Sequence, residues 1–355
     1  MNARAHAPDP SPPAPGLPDG QVARDPQELA AVERTMWRLA HGGQVDKAGG
    51  MALEQLSGSG RRLRARLALW AARAFSVESE AAIRWAAAVE LLHNATLVHD
   101  DIQDGDRTRR GVPTLWVKHG VAQAINAGDL LLMLPFLAIG EIESACRAEL
   151  SRVLAEHATR TVRGQVEELG LLGAGRLDPD SYVHASAGKT GALLALPVVG
   201  AAILAGRDRD TVRALDDVFT NLGVLFQVQD DIVDLFGDKG RGLRGGDIYE
   251  GKVSALVVLQ LHAAPETKVE LLRILGEPRE TTTESDVERA CEMFETSGAL
   301  ADALRLVDGL HERIRSSAVL ASEPLLARVA EQLIELALAP IAHLPRPSSP
   351  QVVAS

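Results

Sequence analysis

Two short stretches of the chain carry the same acidic pattern, each at the end of a long apolar segment. "LVHDDIQDGDRTRRG", residues 97–111, contains Asp100, Asp101 and Asp104. "FQVQDDIVDLFGD", residues 226–238, contains Asp230, Asp231 and Asp234. Both read D-D-x-x-D. Residues i and i+4 share a helix face, so Asp100 points with Asp104 and Asp230 with Asp234. Asp101 and Asp231 stand roughly 100° around the helix. Three carboxylates at one helix end repel each other, and the negative end of the helix dipole adds to the cost. Divalent cations would neutralise that charge. Oxygen ligands with room left for water suit Mg2+, which commonly completes its shell with substrate phosphates.

A single motif of this kind in an acidic helical protein is usually a solvated face. Two matched copies followed by bases need another explanation. Arg109 and Arg110 come directly after the first motif, and "GSGRRLRARL" supplies Arg61, Arg62 and Arg64. Arginine is the bidentate phosphate ligand of choice. Metals between two acidic clusters, rimmed by arginines, make a site for two diphosphates. The core of a helical bundle would receive their apolar tails.

Long helices must position these groups, and the composition suits them. Of 355 residues, 46% are hydrophobic but only 3% aromatic, the apolar share coming from Ala, Leu and Val rather than from strand formers. Helical periodicity recurs along the chain, with no alternating strand bracketed by hairpin turns. The expectation is one all-α domain over about residues 25–343, a helical bundle around a central cavity. Proline-rich residues 1–24 and the end 344–355 read as disordered tails. "DPQELAAVERTMWRLAHGG" starts a helix at Asp25–Pro26 and stops it at its glycines. Segments 81–99 and 212–229 are apolar nearly all round and should lie centrally. "GALLALPVVGAAILAG", residues 191–206, is short for a membrane span and carries Pro197, so it reads as a buried helix and no transmembrane segment is expected. A net charge of −11 argues against nucleic-acid binding. Cys146 and Cys291, far apart, read as reduced core thiols of a cytoplasmic protein, and the start lacks the apolar region of a secretory signal.

In these motifs the chain resembles the trans-isoprenyl diphosphate synthases, the polyprenyl synthetase family, over about residues 25–320. "LLHNATLVHDDIQDGDRTRRGVPT" is similar to the family's first aspartate-rich motif and "FQVQDDIVDLFGD" to its second, with Asp230 as the leading direct ligand there. "GRRLR" resembles the segment that holds isopentenyl diphosphate: Arg61 stands where Lys is usual, and Arg64 matches. The resemblance gives His93 and Arg110 to the same substrate, and Arg109 to the allylic diphosphate. "GKTGAL" carries Lys189 and Thr190, Gln227 matches the family glutamine, and Lys252 in "EGKVS" the late lysine. Gln165 in "GQVEEL" and the segment "SGALADA" fit weaker motifs. One departure stands out. Where the family has a Gly-Lys pair before "GGD", this chain has Arg241–Gly242, and Lys239, Arg241 or Arg244 could supply the charge.

The resemblance implies a Mg2+-dependent prenyltransferase, with three Mg2+ per site. It would join isopentenyl diphosphate head-to-tail to dimethylallyl, geranyl or farnesyl diphosphate. The diphosphate leaves, the isopentenyl double bond attacks the allylic cation, and the released diphosphate takes the proton. Lys189 through its carbonyl, Thr190 and Gln227 would offer partial negative charge to the cation. No covalent intermediate is needed. The family is usually homodimeric. Three alternatives stand beside it. A class I terpene cyclase would carry a different second metal motif and need no isopentenyl site. A non-catalytic synthase partner would typically have lost aspartates, and a plain scaffold leaves the matched clusters unexplained. For product length, small Ala95 and Thr96 one turn below the aspartates place the tunnel floor lower, at Leu91 or Leu92 with Met133 from a facing helix. Trp116 after P-T-x leans toward shorter chains. The expectation is a C20 product, geranylgeranyl diphosphate, with C15 and C25 or longer as alternatives.

Overall fold

The structure is a computed structural model that describes residues 25–43, 46–58, 60–174, 177–237 and 244–345. Both proposed tails, apart from residues 344 and 345, lie outside the described residues, as do Lys239, Arg241 and Gly242.

The first helices are α1 (Asp25–His41), α2 (Lys47–Leu56) and α3 (Leu63–Ala74). The first motif helix, α4 (Ser79–Gln103), follows. A ribbon of β1 (Thr108–Arg109) and β2 (Val112–Pro113) leads to α5 (Leu115–His119), α6 (Val121–Gly140) and α7 (Arg147–Ala174). Next come α8 (Pro179–Ser186), a π-helical turn (Ala187–Gly191), α9 (Ala192–Leu204) and the second motif helix, α10 (Arg209–Phe236). The remaining helices are α11 (Gly246–Tyr249), α12 (Ala255–Ala263), α13 (Lys268–Leu275), α14 (Glu284–Thr296), α15 (Ala299–Arg315), α16 (Ala318–Ser322) and α17 (Pro324–Leu338).

Local chemistry sets the ends of the two motif helices. Glu78 caps α4, its carboxylate accepting from the Glu80 and Ala81 amides at 2.9 Å each. Asp208 caps α10 through the Thr211 amide at 2.8 Å. Helix α4 packs against α1, α3, α6 and α9, and α10 against α9, α12, α15 and α17. The most enclosed element is α9, buried at every residue from Ala192 to Ile203. Its middle is locked by Trp85, whose indole Nε1 donates to the Pro197 carbonyl at 3.0 Å. By contrast, α10 keeps an exposed edge at Arg213 and Asp217, so 212–229 is less central than its composition suggested.

Two local features escaped the sequence. The ribbon pairs Thr108 with Pro113 and Arg109 with Val112. Its turn is Arg110–Gly111, with φ of 54° and 77°. Both central residues are left-handed, as the tightest hairpins require. Strands of two residues leave no periodicity to read. The π-helical turn depends on close backbone contact: a Cβ on Gly164 would lie 2.3 Å from the Lys189 nitrogen, and one on Gly223 2.5 Å from Gly191 Cα.

Two helical spans, Val121–Gly140 and Pro179–Leu204, are long and apolar enough to cross a membrane. The second holds all but the last two residues of the 191–206 run, and 72% of its apolar window is buried inside the bundle. The first was overlooked in the sequence, and 44% of its window is buried.

Candidate active site

The two acidic helix ends lie at one mouth of the bundle, with Lys252 against the first and Asp247 between Lys252 and the second. The Lys252 Nζ sits 3.3 Å from Asp104 and 2.7 Å from Glu250. Burial works against the ammonium, but Asp104 and Glu250 outweigh it and raise its pKa above the usual lysine value. Asp100, on the same face as Asp104, is pushed up to about 6 by burial, with Lys189 opposing and Asp104 adding to the rise. Lys189 is ion-paired to Glu168 of α7. Burial lowers its pKa, yet Glu168 and Asp100 leave it raised overall. On the opposite helix Asp230 is exposed, whereas Asp231 and Asp234 are buried.

The middle aspartates behave differently from their neighbours. Asp101 is buried and held by Arg109, whose Nε donates to Oδ1 at 2.6 Å. Arg109 also lies 3.5 Å from Asp106, so both its contacts here are protein carboxylates. Asp231 accepts from Tyr182 Oη at 2.6 Å and the Ala255 amide at 2.7 Å, both on Oδ2. Gln227 Nε2 donates to its Oδ1 at 3.0 Å. In turn the Thr190 hydroxyl donates to Gln227 Oε1 at 2.8 Å. Asp234 Oδ2 accepts from the Asp247 amide at 3.1 Å. The Asp247 carboxyl is pushed well above its usual range by burial and then by Asp231 and Asp234.

Beside the first motif, Arg64 Nη1 lies 3.0 Å from His93 Nε2. Burial, then Arg64 and Arg110, drives the His93 pKa well below its ordinary value. The ring is therefore neutral. A guanidinium can only donate, so Nε2 is the acceptor and Nδ1 carries the proton. That Nδ1, Arg64 Nε and Gln165 Oε1 are buried without partners. Two orphaned donors beside a cationic cluster suit an anion. Gln165 meets Gln103 through Nε2 to Oε1 at 2.9 Å. Arg110 reaches back over the α2–α3 connection, where a Cβ on Gly60 would lie 2.5 Å from its Nη1.

The donor set at the mouth is all oxygen, the chemistry of a hard cation. Among the described residues no three acidic, His or Cys side chains converge as a preformed metal cage. That suits Mg2+, which takes one or two carboxylates and leaves positions to phosphate and water.

Most residues singled out in the sequence thus meet here, with exceptions. Arg61 is exposed, and its carbonyl accepts from Arg66 Nε at 3.0 Å. Arg62, with a left-handed φ of 48°, turns inward to Glu33, Glu90 and the Leu56 carbonyl. Arg244 is turned away, donating to the Leu235 carbonyl at 2.6 Å and facing Cys291. Met133 is 53% exposed on the outer face of α6, because Ala127, Leu131, Leu134 and Ala138 form its inner face. It does not meet the buried Leu91 and Leu92 as the tunnel-floor expectation required. Glu168, Tyr182, Asp247 and Glu250 were not singled out. Glu168, Asp247 and Glu250 lay inside stretches already quoted, "GQVEEL", "GGD" and "EGKVS"; nothing local in the sequence points to Tyr182.

Comparison with known proteins shows the family. Residues 48–294 match the family described as Polyprenyl synthetase. A geranylgeranyl diphosphate synthase of Mycobacterium tuberculosis is 36% identical over 73% of this chain and 74% of its own. A geranylfarnesyl diphosphate synthase of Aeropyrum pernix is 33% identical over 82% of this chain and 93% of its own. A polyprenyl synthase from Caulobacter crescentus, solved with calcium and isoprenyl diphosphate, superposes with a TM-score of 0.78 at 29% identity, covering 92% of this chain and 99% of that one. With two acidic motifs, a basic rim and a helical bundle to hold them, the chain belongs to the polyprenyl synthetase family, the trans-isoprenyl diphosphate synthases, and is a prenyltransferase.

Proposed function

We propose that the protein condenses isopentenyl diphosphate with an allylic diphosphate, head to tail, to give all-trans geranylgeranyl diphosphate. The observation that carries this reading is the pair of orphaned buried donors, Arg64 Nε and His93 Nδ1, beside the first acidic motif. They fit the diphosphate of a substrate that is not ionised, a second subsite that a terpene cyclase does not need. Asp100, Asp104, Asp230 and Asp234 would hold Mg2+, three ions in all with the help of substrate phosphates. When bound, these ions would neutralise the diphosphate that leaves.

The protein's own groups do the rest. Lys189 and Lys252, both cationic and set among the aspartates, hold the allylic diphosphate and stabilise the charge it gains as the C–O bond breaks. Arg64, Arg110 and His93 orient isopentenyl diphosphate so that its double bond faces the allylic carbon, with Arg61 at the open rim. Arg109 would reach the allylic diphosphate after exchanging its hold on Asp101. The Lys189 carbonyl, Thr190 Oγ1 and Gln227 Oε1 present partial negative charge to the cation. The new C–C bond forms, and the displaced diphosphate accepts the proton lost from the adjoining carbon.

The C20 length is supported by small Thr96, one turn below Asp100 and above fully buried Leu92. Relatives named for C20 and C25 products support the same range. A homodimer is supported by two apolar stripes. On α6 the exposed side chains include Ile125, Met133, Phe136 and Leu137; on α7 they include Val162, Val166 and Leu169. Incubating the protein with isopentenyl diphosphate and each allylic primer, with and without Mg2+, should give a C20 diphosphate only when Mg2+ is present. Failure to elongate any primer would refute the reading.

A further inference from the structure

Asp231 is the least metal-like of the six motif aspartates. It is buried, and each protein group that meets it donates: Tyr182 Oη and the Ala255 amide to Oδ2, Gln227 Nε2 to Oδ1. These donors come from α8, the start of α12 and the preceding turn of α10 itself. Three of the roughly four acceptor positions of its carboxylate are thus taken by protein, leaving one on Oδ1. Its counterpart Asp101 is likewise held by protein, through Arg109.

The consequence falls on Gln227. A primary amide is nearly symmetric in shape, so either end could face either neighbour. Here one neighbour is a carboxylate that already takes two donors, and it selects the NH2 end. The carbonyl end, Oε1, is thereby turned to Thr190, whose hydroxyl donates to it at 2.8 Å. Reversed, the amide would set two N–H donors, and their positive partial charge, where a carbocation is to form. Electrostatic preorganisation of this kind is a major source of rate enhancement.

We propose that Asp231, with Tyr182, forms a positioning pair locking the Gln227 amide with its oxygen toward Thr190. The inference rests on the proposed chain-elongation reading and adds to it two residues that act only through Gln227.

Three single variants and one double variant test it: Tyr182→Phe, Asp231→Asn, Asp230→Asn, and Asp231→Asn with Gln227→Glu. Mn2+ bound per chain in the presence of inorganic pyrophosphate is counted from the EPR signal of free Mn2+. The Mg2+ activation midpoint, kcat and both KM values are measured alongside, and thermal melts report folding. Tyr182→Phe and Asp231→Asn should bind as much Mn2+ as the natural protein, with both KM values and the Mg2+ midpoint unmoved, while kcat falls about 10- to 100-fold. Asp230→Asn should lose bound Mn2+ and need more Mg2+. In the double variant the amide introduced at position 231 donates to the carboxylate introduced at position 227. The other oxygen of that carboxylate again faces Thr190, so kcat should recover relative to Asp231→Asn. Loss of Mn2+ in Asp231→Asn matching that in Asp230→Asn would overturn the proposal, as would an unchanged kcat in both Asp231→Asn and Tyr182→Phe. A natural protein that bound no Mn2+ and elongated nothing would instead bring down the underlying functional reading.

Discussion

At the scale of single residues, the mouth of the bundle trades stability for charge. Asp100 shows the cost most directly, since burial raises its carboxyl from 3.8 to about 6. A carboxyl raised on folding favours the protonated native state, so its charge costs nothing well below pH 4 and costs fully above pH 6. Asp100→Asn in metal-free protein should therefore raise stability at pH 8 by roughly 1–3 kcal/mol. The gain should shrink through the window between pH 6 and pH 4 and vanish below it. Thermal melts in a chelator across this range would check the sign. Prenyl transfer by the same variant should fall by orders of magnitude. A variant that melted lower at pH 8 would show that Asp100 serves the fold. How much of this was legible differs between residues. The D-D-x-x-D spacing pointed to Asp100 and Asp230 because helix periodicity is local. Tyr182, 49 positions from Asp231, left no such trace because their contact is made only by folding.

At the scale of elements, the π-helical turn and α4 both bring side chains to the mouth of the bundle. The turn brings the Lys189 amine to Glu168 and the Thr190 hydroxyl to Gln227, with backbones touching at Gly164 and Gly223. Along α4, His93, Thr96 and Asp100 lie on one face, and Thr96 is half-buried with its hydroxyl on the His93 carbonyl at 2.8 Å. Ala95 is 1% exposed and packed in the core. Enlarging Ala95 would overpack the bundle, whereas enlarging Thr96 would narrow the space below Asp100. Thr96→Phe should keep the fold and shorten the main product by at least one C5 unit, read by chromatography of the dephosphorylated alcohols. An active Thr96→Phe with an unchanged product would mean that the chain grows along another helix face.

At the scale of the whole molecule, the apolar side chains exposed on α6 and α7 recur at three- and four-residue spacing on two long helices. Contiguous apolar surface of this kind marks an interface, and the partner expected is a second copy of the chain. Phe136→Glu together with Met133→Glu would place two charges in the stripe. Sedimentation should then change from a dimer to a monomer at micromolar concentration, while far-ultraviolet circular dichroism stays the same. A natural protein that sedimented as an active monomer would rule the interface out. Met133, first expected inside the tunnel, belongs to this surface because its neighbours at helical spacing face out with it.

What the sequence determined by itself was everything that depends on short-range spacing. The all-α architecture follows from helical periodicity in a chain poor in aromatics, and the shared face of the outer carboxylates from the i, i+4 relation within each motif. The tertiary structure decided which way long and branched side chains turn. Arg62 and Arg109 look interchangeable in sequence with Arg64 and Arg110. Yet Arg62, on a left-handed backbone, is drawn onto Glu33 and Glu90, and Arg109 on β1 is claimed by Asp101 at the end of α4. Likewise Asp230 and Asp231 are adjacent and chemically identical, and only the elements packed around them differ. One faces solvent at the mouth. The other is enclosed by donors from α8, α10 and α12, because a buried carboxylate must find its hydrogen bonds within the protein.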